Sequence, residues 1–290
     1  MQVRTDLAEE AQALWRQSAG KTTQLEGVKA RSWEEHGVGR HQVQILNEQG
    51  EKALGKPRGT YETLWVPGDG RPTPEAAEAL GEAVRDLLDL RGGESVLVVG
   101  LGNRHLTADA LGPLCTEKII VTRHLKDTMP DVFRSFARVS AIAPGVLGLT
   151  GVETGEVVLG LCEKIRPDAI IAIDSLVSRK LSRLCRTIQL SDTGITPGGG
   201  IAPGRFPLDE QTLHTPVLAL GIPTVVEART LAADLCPNAP PEEELPPTSL
   251  IVTPKDIDAL MVKSAKILGY AIDMALHTHL SVEDIESLLS

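Results

Sequence analysis

The stretch VLVVGLGNRHLTADALGP, residues 96–113, decides how the rest of the chain is read. Its opening run of valines and leucine predicts a strand buried on both faces. Gly100 and Gly102 then turn the chain away from the strand's carboxyl end. Asp109 follows a few residues later, near the start of a predicted helix. Two readings compete for this turn. It is either a glycine loop that cradles a phosphate or a loop that presents a carboxylate for chemistry.

Outward from this strand, the chain alternates between strand and helix patterns. TPEAAEALGEAVRDLLDL (residues 73–90) predicts a helix, with Thr73 as N-cap, Pro74 as first residue, and Gly92 and Gly93 ending it. After the turn, a helix from Ala108 or Asp109 to about Lys118 leads to IIVTR (119–123) as the next strand, a right-handed βαβ unit. VSAIA (139–143), DAIIAID (168–174), TIQL (187–190) and VLALG (217–221) read as further strands. ETGEVVLGLCEKIR (153–166) and SRKLSRLC (178–185) read as helices. The expected fold class is therefore α/β: a layered, mostly parallel sheet flanked by helices. Residues 1–70 are expected to form a helix and a β-rich arm, with strands at HQVQIL (41–46) and TYETLWV (60–66). Residues 71–290 are expected to form the α/β core, continuous with that arm. CPNAPPEEELPP (236–247) reads as a loop. Helices close the chain at 254–276 and 281–289, the latter with Ser281 as N-cap and Asp284 three residues on.

Composition narrows the functional classes. The 290 residues carry a formal charge of −10, which argues against nucleic acid or an anionic membrane as the main partner. With three Trp, three Phe and two Tyr, the core must be built from Leu, Ile, Val and Ala. No apolar run approaches the roughly 18 residues of a membrane span, and no basic, then apolar, leader pattern is present. Cys115, Cys162, Cys185 and Cys236 are widely spaced and fit reduced cysteines of a cytoplasmic protein rather than a zinc site. H-E-x-x-H, G-x-S-x-G and P-loop patterns are absent from the sequence. His277 and His279 end a predicted helix and are expected at the surface.

In a parallel α/β sheet, ligands bind beyond the carboxyl ends of the strands. Asp109 follows one such end and Asp174 occupies another, so the two are expected to converge. The dinucleotide fingerprint G-x-G-x-x-G is met at Gly100 and Gly102, but His105 stands in the third place. No acidic residue follows the next apolar run, which ends in Arg123 and His124. The paired-carboxylate reading has clearer chemistry. Like charges held close retain one proton, so one Asp takes a proton from water while the other donates. The plainer alternatives are a helix-start residue at Asp109 and a strand-turn cap at Asp174. SDTGITPGGGIAPGR (191–205) is either a substrate cradle or a long connection.

VVGLGNRHLTADALGP, VTRHL, APGVLGLTGVETGEVV, IIAIDSL, TIQLSDTGITPGGG, LGIPTVVEA and LIVTPKDID occur in this order. Together they closely resemble the germination protease family of endospore-forming bacteria. The resemblance implies an atypical aspartic endopeptidase that degrades small acid-soluble spore proteins during germination, cutting after glutamate. Its two essential aspartates lie in G-N-x-x-x-T-x-D-A-L-G-P and I-A-I-D, here Asp109 and Asp174. It further implies a sheet related to hydrogenase-maturation peptidases, a homotetramer in the spore-core cytoplasm, and no metal or cofactor. Substrate contacts are expected from Arg179, Asn103, Gly198 and Gly199, with Arg104 and Arg205 as alternative cations for the glutamate. The family zymogen carries a pro-segment cut just before a Val-Arg-Thr-Asp stretch; here Met1 and Gln2 precede Val3. Familiar members also carry a longer insertion where this chain has the short region 234–250. Two other readings stand beside this one. One is a dinucleotide-binding or regulatory protein; the other is a metal-sensing maturation peptidase with His214 as a third ligand.

Overall fold

A computed structural model describes residues 5–18, 25–66, 73–198, 206–236, 240, 244–245, 248 and 250–289. Its centre is the strand β4 (Ser95–Gly100), whose last five residues are all buried. β5 (Arg138–Ile142) and β6 (Ala169–Ser178) flank it, both parallel to it. β8 (Val217–Glu227) runs parallel to β6 on the far side. β7 (Thr187–Ser191) pairs antiparallel with β8 and carries the sheet onward. β3 (Gly59–Trp65), β2 (Val38–Ile45) and β1 (Val28–Glu35) follow, all antiparallel. The order is β1-β2-β3-β7-β8-β6-β4-β5, with the two-residue β9 (Ile251–Val252) beside β8. The layered α/β architecture is thus present, with a parallel half and an antiparallel N-terminal wing in one sheet.

Period-two alternation sends the side chains of each parallel strand to two cores. Val96, Val98, Ile171, Ile173, Leu220 and Ile222 face the larger core. There they meet α3 (Pro74–Leu88) through Leu80 and Val84, and α10 (Ile257–Leu276) through Leu268 and Ile272. Leu97, Val99, Leu101, Ile170 and Ala172 face the smaller core, closed by Val158 and Cys162 of α7 (Thr154–Ile165). The β1–β2 hairpin turns through His36 and Gly37 at φ 50° and 73°, as a tight primed turn requires.

Helix ends match their sequence signals. The Thr73 hydroxyl accepts the Ala76 N–H at 3.3 Å ahead of Pro74. At α11 (Val282–Leu289), Asp284 accepts the Ser281 N–H at 2.9 Å and donates its own N–H to the Ser281 hydroxyl at 3.2 Å. Three expectations change. Residues 119–123 form no strand. Thr122 exchanges one backbone bond with Val139 at 3.1 Å and its hydroxyl accepts the return N–H, after which α5 (Arg123–Thr128) begins. The parallel neighbour of β4 is therefore β5. Residues 178–185 form no long helix, because β8 is long enough to keep pairing with β6 through Ser178; a single 3-10 turn, Leu181–Arg183, follows. His277 is fully buried rather than exposed. It accepts the Ala137 N–H, and burial pushes its imidazole down to about 4. Cys115, Cys162 and Cys185 are buried free thiols and Cys236 is exposed. Among the described residues, no helix is long and apolar enough to cross a membrane. The predicted loop 236–247 lies largely outside the described residues.

The amino-terminal helix α1 (Ala8–Ser18) is tied to the end of β6 by a buried ionic cluster. Arg183 meets Glu9 at 2.7 Å and Glu10 at 3.3 Å, and its guanidinium stacks on Trp65. Glu10 also accepts the backbone N–H groups of Arg179 and Lys180 at 2.8 and 3.0 Å. Removing one partner strands a buried charge, which costs about 3–5 kcal/mol. Glu10→Ala is expected to lower unfolding stability by that order in a urea titration monitored by circular dichroism.

Candidate active site

β4 stops at Gly100 while β6 continues, and their last bond runs from the Leu101 N–H to the Ile173 carbonyl at 2.8 Å. The chain beyond Leu101 folds back on itself through approaches that only glycine permits. A Cβ on Gly102, at φ +107°, would lie 2.1 Å from the Asp109 carbonyl oxygen. One on Gly100 would lie 2.2 Å from the Gly112 carbonyl oxygen. One on Gly112 would lie 2.3 Å from the Leu101 oxygen and 2.6 Å from that of Ile173. The turn therefore returns Asp109 to the strand end it has just left.

Asp109 ends a 3-10 turn, Thr107–Asp109, that precedes α4 (Leu111–Thr116). The expected helix start is split into these two pieces. Its carboxylate accepts the Asn103 N–H at 2.8 Å, and the Asn103 side-chain oxygen accepts the His105 N–H at 2.9 Å. The buried Thr224 hydroxyl of β8 donates to the Ala108 carbonyl at 2.7 Å and pins the turn over the sheet. The Thr253 hydroxyl holds the Thr224 carbonyl in turn, at 2.9 Å.

Asp174 follows Ile173 on β6, level with Gly221 of β8. Alternation puts it at the end of the face that carries Ile170 and Ala172, the smaller core. Ile195, early in the glycine-rich loop, and Phe206, just after it, pack on that same core. The Asp174 carboxylate accepts the N–H of its neighbour Ser175 at 2.8 Å. Burial, then the nearby Asp109 charge, push its carboxyl up to about 8, with Asp6 adding to the rise. Burial also raises Asp109, against the pull of the Asn103 N–H. The two aspartates are thus brought within electrostatic reach, as their strand-end positions lead one to expect.

The other predicted residues separate. Asn103 spends its side-chain oxygen on its own loop and its N–H on Asp109. That N–H is one a dinucleotide phosphate would need, and a carboxylate already holds it. Arg179 lies just past β6, partly exposed, with its backbone N–H on Glu10. Arg104 pairs with Glu117 at 3.0 Å. Gly198 sits in an exposed turn at φ +63°, whereas Gly199 and Arg205 lie outside the described residues. His214 caps α8 (Glu210–Leu213) before β8 begins, at the sheet edge opposite Asp174, so it is not a third ligand there. Among the described residues, the one group with ligand atoms close enough for a metal is Glu35, His36 and Glu82, where the β1–β2 turn meets α3. Sequence reasoning missed Thr224 and Asp6. Both act through long-range hydrogen bonds, which leave no periodic signal.

The germination protease family model matches residues 4–237. A germination protease of Clostridium perfringens is 40% identical over 99% of this chain and 99% of its own. This chain belongs to the germination protease family. It is therefore a peptidase. Relatives of the same name from Caldanaerobacter subterraneus and Oceanobacillus iheyensis are 39% and 33% identical, covering 99% and 98% of this chain and 98% and 96% of their own. The C. perfringens alignment runs over 325 positions, more than the 290 residues here, so that relative has residues this chain lacks. A NiFe hydrogenase maturation protease from Thermococcus kodakarensis superposes with a TM-score of 0.34 at 15% identity, over 66% of this chain and 98% of its own. That likeness is too remote to carry an argument.

The close approach at Gly112 gives a direct check on the turn. A methyl there must push backbone atoms apart, at about 1–3 kcal/mol or more. Gly112→Ala is expected to lower the thermal midpoint and to cut peptidase activity further than the lost folded fraction accounts for, measured at a temperature where the variant stays folded.

Proposed function

We propose that Asp109 and Asp174 are the catalytic pair of an endopeptidase that degrades small acid-soluble spore proteins during germination, cutting after glutamate. The observation that carries this reading is that the Asp174 carboxyl, at the end of β6, lies within electrostatic reach of Asp109 in the turn that leaves β4. The charges that raise the Asp174 carboxyl are two carboxylates, Asp109 and Asp6. Near neutral pH the pair holds one proton, and Asp174 is the member that keeps it.

The chemistry follows from that state. Ionised Asp109 removes a proton from water as the water oxygen bonds to the scissile carbonyl carbon. Asp174 gives its proton to the carbonyl oxygen. When the tetrahedral intermediate collapses, that proton returns to Asp174 and the C–N bond breaks. The departing amine takes the proton held by Asp109. The pair ends as it began, with one proton, and no metal is required. The glycine-rich loop 191–205 is our choice for the element that holds the peptide, since Ile195 within it and Phe206 just after it pack on the face that ends at Asp174. Arg179, beside the end of β6, is our choice for the cation that reads the substrate glutamate, with Asn103, Gly198 and Gly199 as further substrate-binding residues. The family's spore substrates, a spore-core cytoplasmic location, a homotetramer and a zymogen stage complete the proposal. The resemblance supports each of these.

Asp109→Asn and Asp174→Asn are each expected to fold yet lose cleavage of a small acid-soluble spore protein by about a hundredfold or more. The assay is mass spectrometry of the products with a chelator present. Wild-type rates in either folded variant remove that carboxylate from the mechanism, and cuts elsewhere than after glutamate remove the specificity.

The pH profile and the stability share one origin. Activity needs Asp174 protonated and Asp109 ionised, so kcat/KM is expected to fall on the alkaline side near pH 8 and again in acid. The folded Asp174 carboxyl titrates above its unfolded value, so between those two pH values the folded state binds more protons. Its contribution to stability is full in acid and is lost as pH rises toward 8. Asp174→Asn, which never ionises, is expected to gain thermal midpoint over the wild type at pH 8 and to lose that advantage near pH 4. A gain that does not depend on pH contradicts the raised carboxyl.

A further inference from the structure

The departure of β4 at Gly100 leaves the outer half of β6 without a partner on one side. The Ile173 carbonyl points to that side, since it receives the Leu101 N–H. Backbone groups alternate along a strand, so Ser175 and Val177 present theirs to the same vacated edge. Buried backbone groups demand partners, and these find unusual ones. The Ser175 N–H goes to the Asp174 carboxylate at 2.8 Å. The Val177 N–H goes to the Asp6 carboxylate at 2.7 Å, and the Val177 carbonyl accepts the Asp6 N–H at 3.1 Å. Asp6 thus takes the place of a missing β4 residue.

Asp6 is itself held from behind. Its carbonyl accepts the Gln189 side-chain amide at 2.7 Å and the Lys56 ammonium at 3.0 Å. Gln189 returns its oxygen to the Ala8 N–H at 2.8 Å. The segment is therefore fixed by β7, by the loop before β3 and by its own helix, with its carboxylate turned toward β6.

We propose that Asp6 is a positioning residue for the Asp109–Asp174 pair: it closes the open edge of β6 two residues beyond Ser175 and adds a third carboxylate to the cluster. This rests on the catalytic reading of the pair given above. Among the described residues, the charged groups that shift Asp174 are Asp109 from the turn after β4 and Asp6 from the amino-terminal segment. Its sheet neighbour on β8, Gly221, carries no charge, nor does Gly100, level with Ile173 on β4. Lys56 faces Asp6 from the other side. A negative charge at Asp6 raises the work of ionising Asp174, in the same sense as Asp109. Asp6 touches no reacting atom and acts through Asp174.

The test separates charge from scaffolding. Asp6→Asn and Asp6→Ser keep an oxygen for the Val177 N–H but remove the charge, whereas Asp6→Glu keeps the charge. The Asp174 titration is read by NMR of protein labelled with carbon-13 at the Asp carboxyls, its signal assigned by its loss in Asp174→Asn. In either neutral variant the Asp174 midpoint is expected to fall by about half a pH unit or more, and to return toward the wild type in Asp6→Glu. The alkaline limb of the kcat profile is expected to move down with it, with KM little changed. An unmoved Asp174 midpoint in a folded neutral variant overturns the proposal and leaves Asp6 as a backbone tie alone. The catalytic reading fails separately: if Asp174→Asn cleaves at the wild-type rate, the pair is not catalytic, while the carboxyl titration still decides whether Asp6 acts on Asp174.

Discussion

The close backbone approach among Gly100, Gly112 and Ile173 is the constraint on which the rest of the structure depends. Three chain segments meet there with no room for a Cβ on either glycine. Because they meet, β4 cannot extend alongside β6, and the turn that follows must lie across the end of the sheet. That turn carries Asp109 back toward Asp174. The same contact therefore ends a strand, opens an edge and pairs two acids. A longer β4 would pair with β6 past Asp174 and fill the space from which its carboxyl is reached. The Thr224 and Thr253 hydroxyls then hold the turn in register from the β8 side.

Low dielectric and like charge give this arrangement its chemistry. An isolated buried carboxyl takes up a proton, and one beside a cation loses it. Asp174 is largely withdrawn from water, feels two negative neighbours and, among the described residues, accepts the N–H of Ser175. Asp109 has the Asn103 N–H and the partial exposure of its turn. Both carboxyls are raised, Asp174 the further of the two, and under the proposed function that difference lets one pair supply both an acid and a base. The excess of acidic residues over the whole chain is a separate matter of solubility, because most of those charges are solvated and screened.

Much of this was legible in the sequence, and the exceptions are physical. The valine and isoleucine runs of β4 and β6 marked strands buried on both faces, and strand-end logic placed both aspartates at one edge. Thr73-Pro74 and Ser281–Asp284 marked helix starts because capping is local. The IIVTR segment misled, since Ile119 and Ile120 are buried as a strand's would be, while Val121 is exposed and the backbone makes one exchange with β5. SRKLSRLC misled because its helix-like spacing lost to the pairing that a long β8 offers. His277 looked like a helix-end surface residue, but α10 runs its last turn under the Phe136 ring, and the imidazole ends up sealed. No local pattern announces that Asp6 pairs with Val177, 171 residues away.

The amino-terminal wing is more than an extension of the sheet. β1, β2 and β3 join the parallel half through β7, which is antiparallel to both of its neighbours. β7 also supplies Gln189, the residue that grips the segment before α1. Arg183, just before β7, binds Glu9 and Glu10 of that helix. The chain's first described residues are thus anchored on the strand that links wing to core, and from there they reach the far half of β6. An edge vacated by one strand is completed by residues nearly 90 positions earlier in the chain. Edge completion of this kind makes the acidity of the site depend on how firmly the amino-terminal segment is seated. Loosening the anchor at Arg183 and removing the charge at Asp6 then act on the same carboxyl by different routes, one through backbone order and the other through field.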